Sequence, residues 1–200
     1  MDKKQELLRK IAELFYENGY EKTSIRDISR ALGMTNAGLY YYFENKQEML
    51  FEIMDGAIED ALVSIRREIG KIESAEDKIA WIIQAHIKFY CENKAQTKVL
   101  VYEKASLEAK YSEIIKGKES EYIELMRQVL GQIIQGNFQV SIPINVATFS
   151  LLGMLNWVVH WFKPEGKVSP DELADYITTI FLNGLKGKSD RAVETLPMED

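Results

Sequence analysis

Apolar residues along the chain recur at intervals of three and four, the period of a helix with one buried side. The spacing predicts helices over 3–18, 25–32, 36–43, 46–70, 75–93, 96–107, 110–135, 144–162 and 170–186, and hence an all-α fold. Strand-like alternation is confined to 138–142, where Gly136 and Pro143 alongside favour a loop. Beyond Lys186 the chain turns polar, and 189–200 is expected to be a disordered tail.

Helix stops and starts are densest between residues 19 and 50. Gly19 follows the first helix and is expected in the left-handed position that glycine occupies cheaply. Ser24 with Asp27 three residues on forms a near capping box, and Gly33 stops that helix after about two turns. Thr35 caps the next helix, with Met34 placed to staple onto Leu39. Asn45 with Glu48 opens a long fourth helix.

Two short helices joined by a glycine turn make a helix-turn-helix, whose second helix is held out as a rod. Leu39 and Phe43 pin its inner side. The outer side carries Asn36, Ala37, Gly38, Tyr40 and Tyr41, with Thr35 at the tip. Small residues let the backbone approach base edges, an asparagine amide matches adenine in the major groove, and tyrosine hydroxyls suit phosphate oxygens. Lys46 stands in the first turn of a helix, where a cation opposes the dipole. Either an external anion such as a DNA phosphate compensates it, or solvent and the neighbours Glu44 and Glu48 do.

Charge restricts where nucleic acid would bind. The chain of 200 residues has a formal charge of -6, which excludes a surface that coats an acidic polymer throughout. Residues 1–50 are neutral, and the remainder carries the whole excess. The span 128–162 has no charged side chain, but its polar interruptions leave only 146–162, short of the about 20 apolar residues of a membrane helix. It reads instead as a helix buried within an assembly, with no membrane partner. One cysteine, Cys91, and no basic-then-apolar leader give a cytoplasmic expectation. An enzyme using His86, His160 and Cys91 is the rival class. No phosphate-cradling glycine loop, nucleophile elbow or metal-ligand spacing supports it, so no catalytic residue, metal or cofactor is assigned.

Residues 11–50, IAELFYENGYEKTSIRDISRALGMTNAGLYYYFENKQEML, resemble the DNA-binding domain of the tetracycline-repressor (TetR) family of bacterial regulators. The resemblance implies an Ω-shaped homodimer of about nine helices per subunit, with a DNA-binding domain over 1–48 and a ligand-binding and dimerisation domain over 49–188. By position, it implies phosphate or base contacts from Thr23, Ser24, Arg26, Thr35, Asn36, Gly38, Tyr40, Tyr41 and Lys46. Asn36, Ala37 and Gly38 depart from the lysine, glycine and small residue common in the family, and Tyr42 replaces its usual histidine. Base preference therefore does not transfer.

The second half is less specific. Trp81, His86, Phe89, Tyr90, Tyr102, Tyr111, Met126, Phe149, Asn156, Trp157 and Trp161 either line a cavity for a small effector or serve as bundle core and dimer packing. The uncharged helix near 144–162 and the stripe Leu173, Tyr176, Ile177, Ile180, Phe181 and Leu185 on the helix near 170–186 are candidate dimer faces. Ser169, Pro170 and Glu172 open that last helix with a cap, a first-position proline and a capping-box glutamate. The segment 153–185 is similar to family members that answer to fatty acyl- or steroid-derived coenzyme A thioesters, which implies an acyl-CoA-type effector. Arg66, Arg67, Lys98, Lys104 and Arg127 are candidates for its phosphates, with surface salt bridges the ordinary role of each. The efflux-type alternative senses aromatic or cationic drugs.

Overall fold

The computed structural model describes residues 2–137 and 142–186. The expected tail at 189–200 and most of the 138–142 loop lie outside the described residues. Each short helix at the N-terminal end is bounded by the residue types that stop and start helices. α1 (Lys3–Asn18) ends at Gly19, whose φ of 80° is positive as expected, but whose ψ of 144° is extended rather than left-handed helical. α2 (Ile25–Leu32) opens at Ser24 with both halves of the capping box formed, and closes at Gly33 in the left-handed region. α3 (Asn36–Tyr40) starts from the Thr35 cap and stops sooner than predicted. Tyr41 and Tyr42 form a turn that lowers Phe43 into the core.

Asn45 caps α4 (Lys46–Ile69), and Ser74 caps α5 (Ala75–Glu92). The helix expected over 96–107 divides into α6 (Lys94–Tyr102) and a single 3-10 turn at Lys104–Ser106. α7 (Ala109–Asn137), α8 (Ile144–Trp161) and α9 (Pro170–Lys186) complete the order, and among the described residues there is no strand.

Two apolar cores organise these helices. The first gathers Leu7, Ile11 and Phe15 of α1, Ile28 of α2, Leu39, Phe43, and Met49, Leu50 and Ile53 of α4. Val99 of α6, Leu107 just after the 3-10 turn and Ile115 of α7 complete it, so the N-terminal head is closed by residues far along the chain. The second core joins α5, α7, α8 and α9. Tyr122 packs against both, and α4 runs from the first core to Ile69 at the edge of the second. Each enclosed Leu or Ile contributes roughly 1.5–3 kcal/mol. Lys118 of α7 reaches Asp55 and Glu59 of α4 at 2.6 and 2.8 Å, and Arg66 pairs with Glu121, so charge clamps the same two helices.

α9 directs most of its predicted stripe into its own chain. Leu173, Ile177, Phe181 and Leu185 face the second core of their own subunit, where α9 lies along α5, and only Tyr176 and Ile180 of the predicted stripe point outward. α8 divides likewise. Leu151, Leu152, Leu155, Val158 and Val159 are inside, whereas Val146, Phe149, Trp157 and Trp161 are exposed. Among the described residues no helix is long and apolar enough to cross a membrane.

Candidate nucleic-acid interface

The α2–α3 pair projects a small polar edge because its inner side is fully committed. Leu39 has no exposed surface, and Ile28 and Phe43 are equally enclosed. The Gly33 turn is closed by the Met34 amide donating to Ser29 O at 2.9 Å, and the Gly38 amide donates to Thr35 Oγ1 at 3.0 Å. A Cβ on Gly38 would lie 3.3 Å from that cap hydroxyl, so the position suits glycine. On the outer side Tyr41 is 83% exposed and Tyr40 50%, while Tyr42 is half-buried with its ring edge against Tyr41. Arg26 and Arg30 are exposed on α2, the latter 3.6 Å from Asp27. The Asp27 carboxyl is held below its usual range chiefly by the hydrogen bond from the Ser24 hydroxyl, then by the Ser24 amide.

Besides the capping hydroxyls of Ser24 and Thr35, three more of the predicted contact residues are already engaged within the head. Asn36 is exposed, but its Oδ1 accepts from the buried Ser29 hydroxyl at 2.7 Å, which orients the amide and leaves its NH2 group free of that bond. Thr23 is only 2% exposed, and its hydroxyl donates to Gly19 O. Lys46 has a further means of compensating its charge, within the head itself. Its ammonium donates to the carbonyls of Tyr20 and Thr23 at 2.9 and 3.1 Å and sits 4.0 Å above the Tyr20 ring centre. Charge-assisted bonds and ring attraction thus compensate the cation at the start of α4. Its partners are backbone atoms and one aromatic face, for which no motif spacing exists. Ser24, Arg26, Thr35, Asn36, Gly38, Tyr40 and Tyr41 remain along the outer edge.

The candidate effector residues do not converge on a single cavity. His86 Nδ1 lies 3.1 Å from the Tyr122 hydroxyl, a partner that sequence reasoning did not select. Burial pushes the imidazole down to about 4 and the Tyr122 phenol above its ordinary value. Tyr90 and Met126 are enclosed in the second core, and the Tyr90 hydroxyl points to Phe162 O at 3.5 Å. Tyr111 stacks on Phe51 beside the first core. Trp81 and Phe89 line an open groove of about 840 Å³ between α4, α5 and the start of α9, together with Arg67 and Lys88 but also Glu68, Glu92 and Asp171.

Phe149, Asn156 and Trp157 lie on the outward side of α8. There Trp157 stacks on His160, which meets the Tyr102 hydroxyl at 2.8 Å. Of the candidate phosphate-binding cations, Arg66, Lys104 and Arg127 are paired with Glu121, Glu119 and Glu124, and Lys98 bonds the Tyr16 hydroxyl. Among the described residues no group of three or more His, Cys, Asp or Glu side chains is placed to hold a metal ion.

Known proteins share this arrangement. Residues 7–53 match the model of bacterial regulatory proteins of the tetR family, and residues 73–185 match that of the tetracyclin repressor-like C-terminal domain. The HTH-type transcriptional repressor KstR2 of Rhodococcus jostii is 29% identical over 189 residues, which cover 92% of this chain and 91% of that one. The fatty acid metabolism regulator protein of Bacillus subtilis is 22% identical, covering 93% and 97%. Among solved structures, AibR in complex with isovaleryl coenzyme A and operator DNA superposes with a TM-score of 0.82 at 25% identity, covering 90% of this chain and 97% of that chain.

Proposed function

The chain belongs to the tetR family of bacterial regulatory proteins and is a ligand-responsive, DNA-binding repressor; from that premise we propose how it reads DNA and what releases it. The observation that carries the DNA reading is α3, pinned from beneath by Leu39 while Asn36, Tyr40 and Tyr41 face outward. In this proposal Asn36 reads a base edge through its amide NH2, Tyr40 and Tyr41 meet phosphates, and Ser24, Arg26 and Thr35 hold the flanking backbone. A dimer brings two such edges to successive major-groove faces, about 34–36 Å apart on a near-palindromic site. The outward sides of α8 and α9, with Phe149, Trp157, Trp161, Tyr176 and Ile180, cover one another between subunits.

For the effector we propose a coenzyme A thioester with an apolar acyl group. The named relatives concern fatty acid metabolism and isovaleryl coenzyme A, and in this chain Trp81 and Phe89 offer an apolar wall with Arg67 and Lys88 at the same groove. Binding shifts the population between two separations of the DNA-reading heads, with α4 as the lever because it spans both cores. A hundredfold release needs only about 2.7 kcal/mol of differential effector binding.

Fluorescence anisotropy of DNA taken from upstream of the chain's own coding region tests both halves of the proposal. About six phosphate contacts per dimer give a logarithmic salt slope near -5, so binding weakens roughly a thousandfold from 50 to 200 mM salt. Isovaleryl, octanoyl or palmitoyl coenzyme A is expected to release the duplex, and the cationic dye rhodamine 6G is not. Release by the dye alone would replace the acyl-CoA proposal with the drug-sensing one.

A further inference from the structure

The segment 103–108, between α6 and α7, is bonded to the DNA-reading head through side chains that touch no part of the outer edge. The Tyr20 amide, in the α1–α2 turn, donates to Glu103 Oε1 at 3.2 Å. Gln47, in the first turn of α4, spans the same gap. Its Nε2 donates to Ser106 O at 2.7 Å, and its Oε1 accepts from the Glu108 amide at 3.1 Å. Ser106 Oγ lies 3.5 Å from the other Glu103 oxygen. Lys46 closes the ring of contacts by holding the carbonyls of Tyr20 and Thr23. Beneath this polar rim Leu107 is packed into the head's own core.

Side-chain chemistry makes two of these positions demanding. Position 47 must donate to a carbonyl and accept from an amide at once, which a primary amide does and neither a carboxylate nor an alkyl group can. Position 103 needs only an acceptor, so glutamine can replace glutamate there. Removing the Glu103 acceptor would leave the Tyr20 amide, and removing the Gln47 donor the Ser106 carbonyl, without that partner in part-buried surroundings.

We propose that Gln47 and Glu103 are positioning residues for DNA recognition: they clasp the 103–108 segment to the head and set the angle at which α3 is presented, without contacting DNA. The proposal rests on the two-headed binding mode above. A duplex with two half-sites binds only those dimers whose heads are correctly separated, and its apparent affinity falls in proportion to that fraction. One half-site imposes no such match.

The test compares the parent chain with Gln47→Leu, Glu103→Ala and Glu103→Gln on two duplexes. One is the palindromic site that the parent selects from a random pool, and the other retains a single half-site. Gln47→Leu and Glu103→Ala are expected to lose on the order of tenfold on the palindrome and less than about twofold on the half-site, with Glu103→Gln close to the parent. Equal losses on both duplexes would mean that these residues touch DNA or merely stabilise the head, and no loss on either would leave the clasp without a role; each result overturns the proposal.

A DNA-free arm separates it from the binding mode on which it rests. Spin labels placed by Glu17→Cys in a Cys91→Ser background report the distance between the two heads by dipolar spectroscopy, and the distribution is expected to broaden in Gln47→Leu and Glu103→Ala. Unchanged widths overturn the clasp even if DNA binding behaves as proposed. A parent that selects no duplex refutes the two-headed mode, while the widths still decide the clasp.

Discussion

The outer edge of α3 and the outer side of α8 both expose aromatic residues, yet the surfaces differ in how they are made. α3 has five residues and is held by the Thr35 cap, the Gly33 turn and the buried Leu39, and what it exposes is polar or small. α8 has 18 residues, begins at Pro143 without a side-chain cap, and leaves Phe149, Trp157 and Trp161 more than half exposed even though Trp157 stacks on His160. An edge built for DNA can stay wet in the free protein because phosphates and base edges replace water one hydrogen bond at a time. An apolar helix side of that size in a regulator calls for a second copy of the chain. In the proposed dimer the head is completed by its own subunit, and the outer side of α8 by the partner.

The largest effect expected from this contrast is on assembly. Replacing Trp157 and Trp161 together by alanine is expected to remove about 4 kcal/mol from dimer association, as for paired aromatic anchors, with palindrome binding falling in parallel. Sedimentation at micromolar concentration checks it, and a dimer that persists would relocate the interface. Leu39→Ala is next. Truncating a fully enclosed leucine costs about 2–4 kcal/mol, here confined to the head, so thermal unfolding is expected to show an earlier head transition while dimerisation persists.

His86 sharpens the comparison from the core side. Its folded pKa of about 4 lies below the ordinary imidazole value of 6.5, so the unfolded chain binds the additional proton in that window. Stability is therefore full above about 6.5 and declines as pH falls toward 4, by at most about 3 kcal/mol. Denaturant titrations at pH 7 and pH 5 should differ less for His86→Phe than for the parent. The smallest effect on folding is expected at the other surface. Tyr41→Ala should change stability by less than about 0.5 kcal/mol while weakening operator binding, and a matching loss of stability would place Tyr41 in the fold rather than at the DNA.

Much of the head was legible in the sequence because its signals are local. Ser24 with Asp27, Thr35, and Asn45 with Glu48 all form the caps that their spacing predicts, and so does Ser169 with Glu172 at the start of α9. The inner position of Leu39 and Phe43 and the outer position of Tyr41 follow from one helical period. Lys46 was not legible, since its compensation comes from carbonyls of a turn 26 and 23 residues away. Nor was the Ser29–Asn36 bond, which depends on the angle between α2 and α3. The candidate effector residues share aromatic character, but helix rotation disperses them between an enclosed core, an open groove and the outward side of α8.

By itself the sequence determined an all-helical chain, the bounds of most helices and a helix-turn-helix with a polar outer edge, because caps, glycine turns and apolar period act over a few residues. Only the tertiary structure decided that four of the six apolar residues in the predicted α9 stripe face α5, that Lys46 serves the α1–α2 turn, and that the head is closed by residues beyond 98. A periodic pattern states that a helix has an apolar side. Which neighbour that side meets, and which distant carbonyl a charge can reach, is settled when the helices pack and each buried polar group must find a partner.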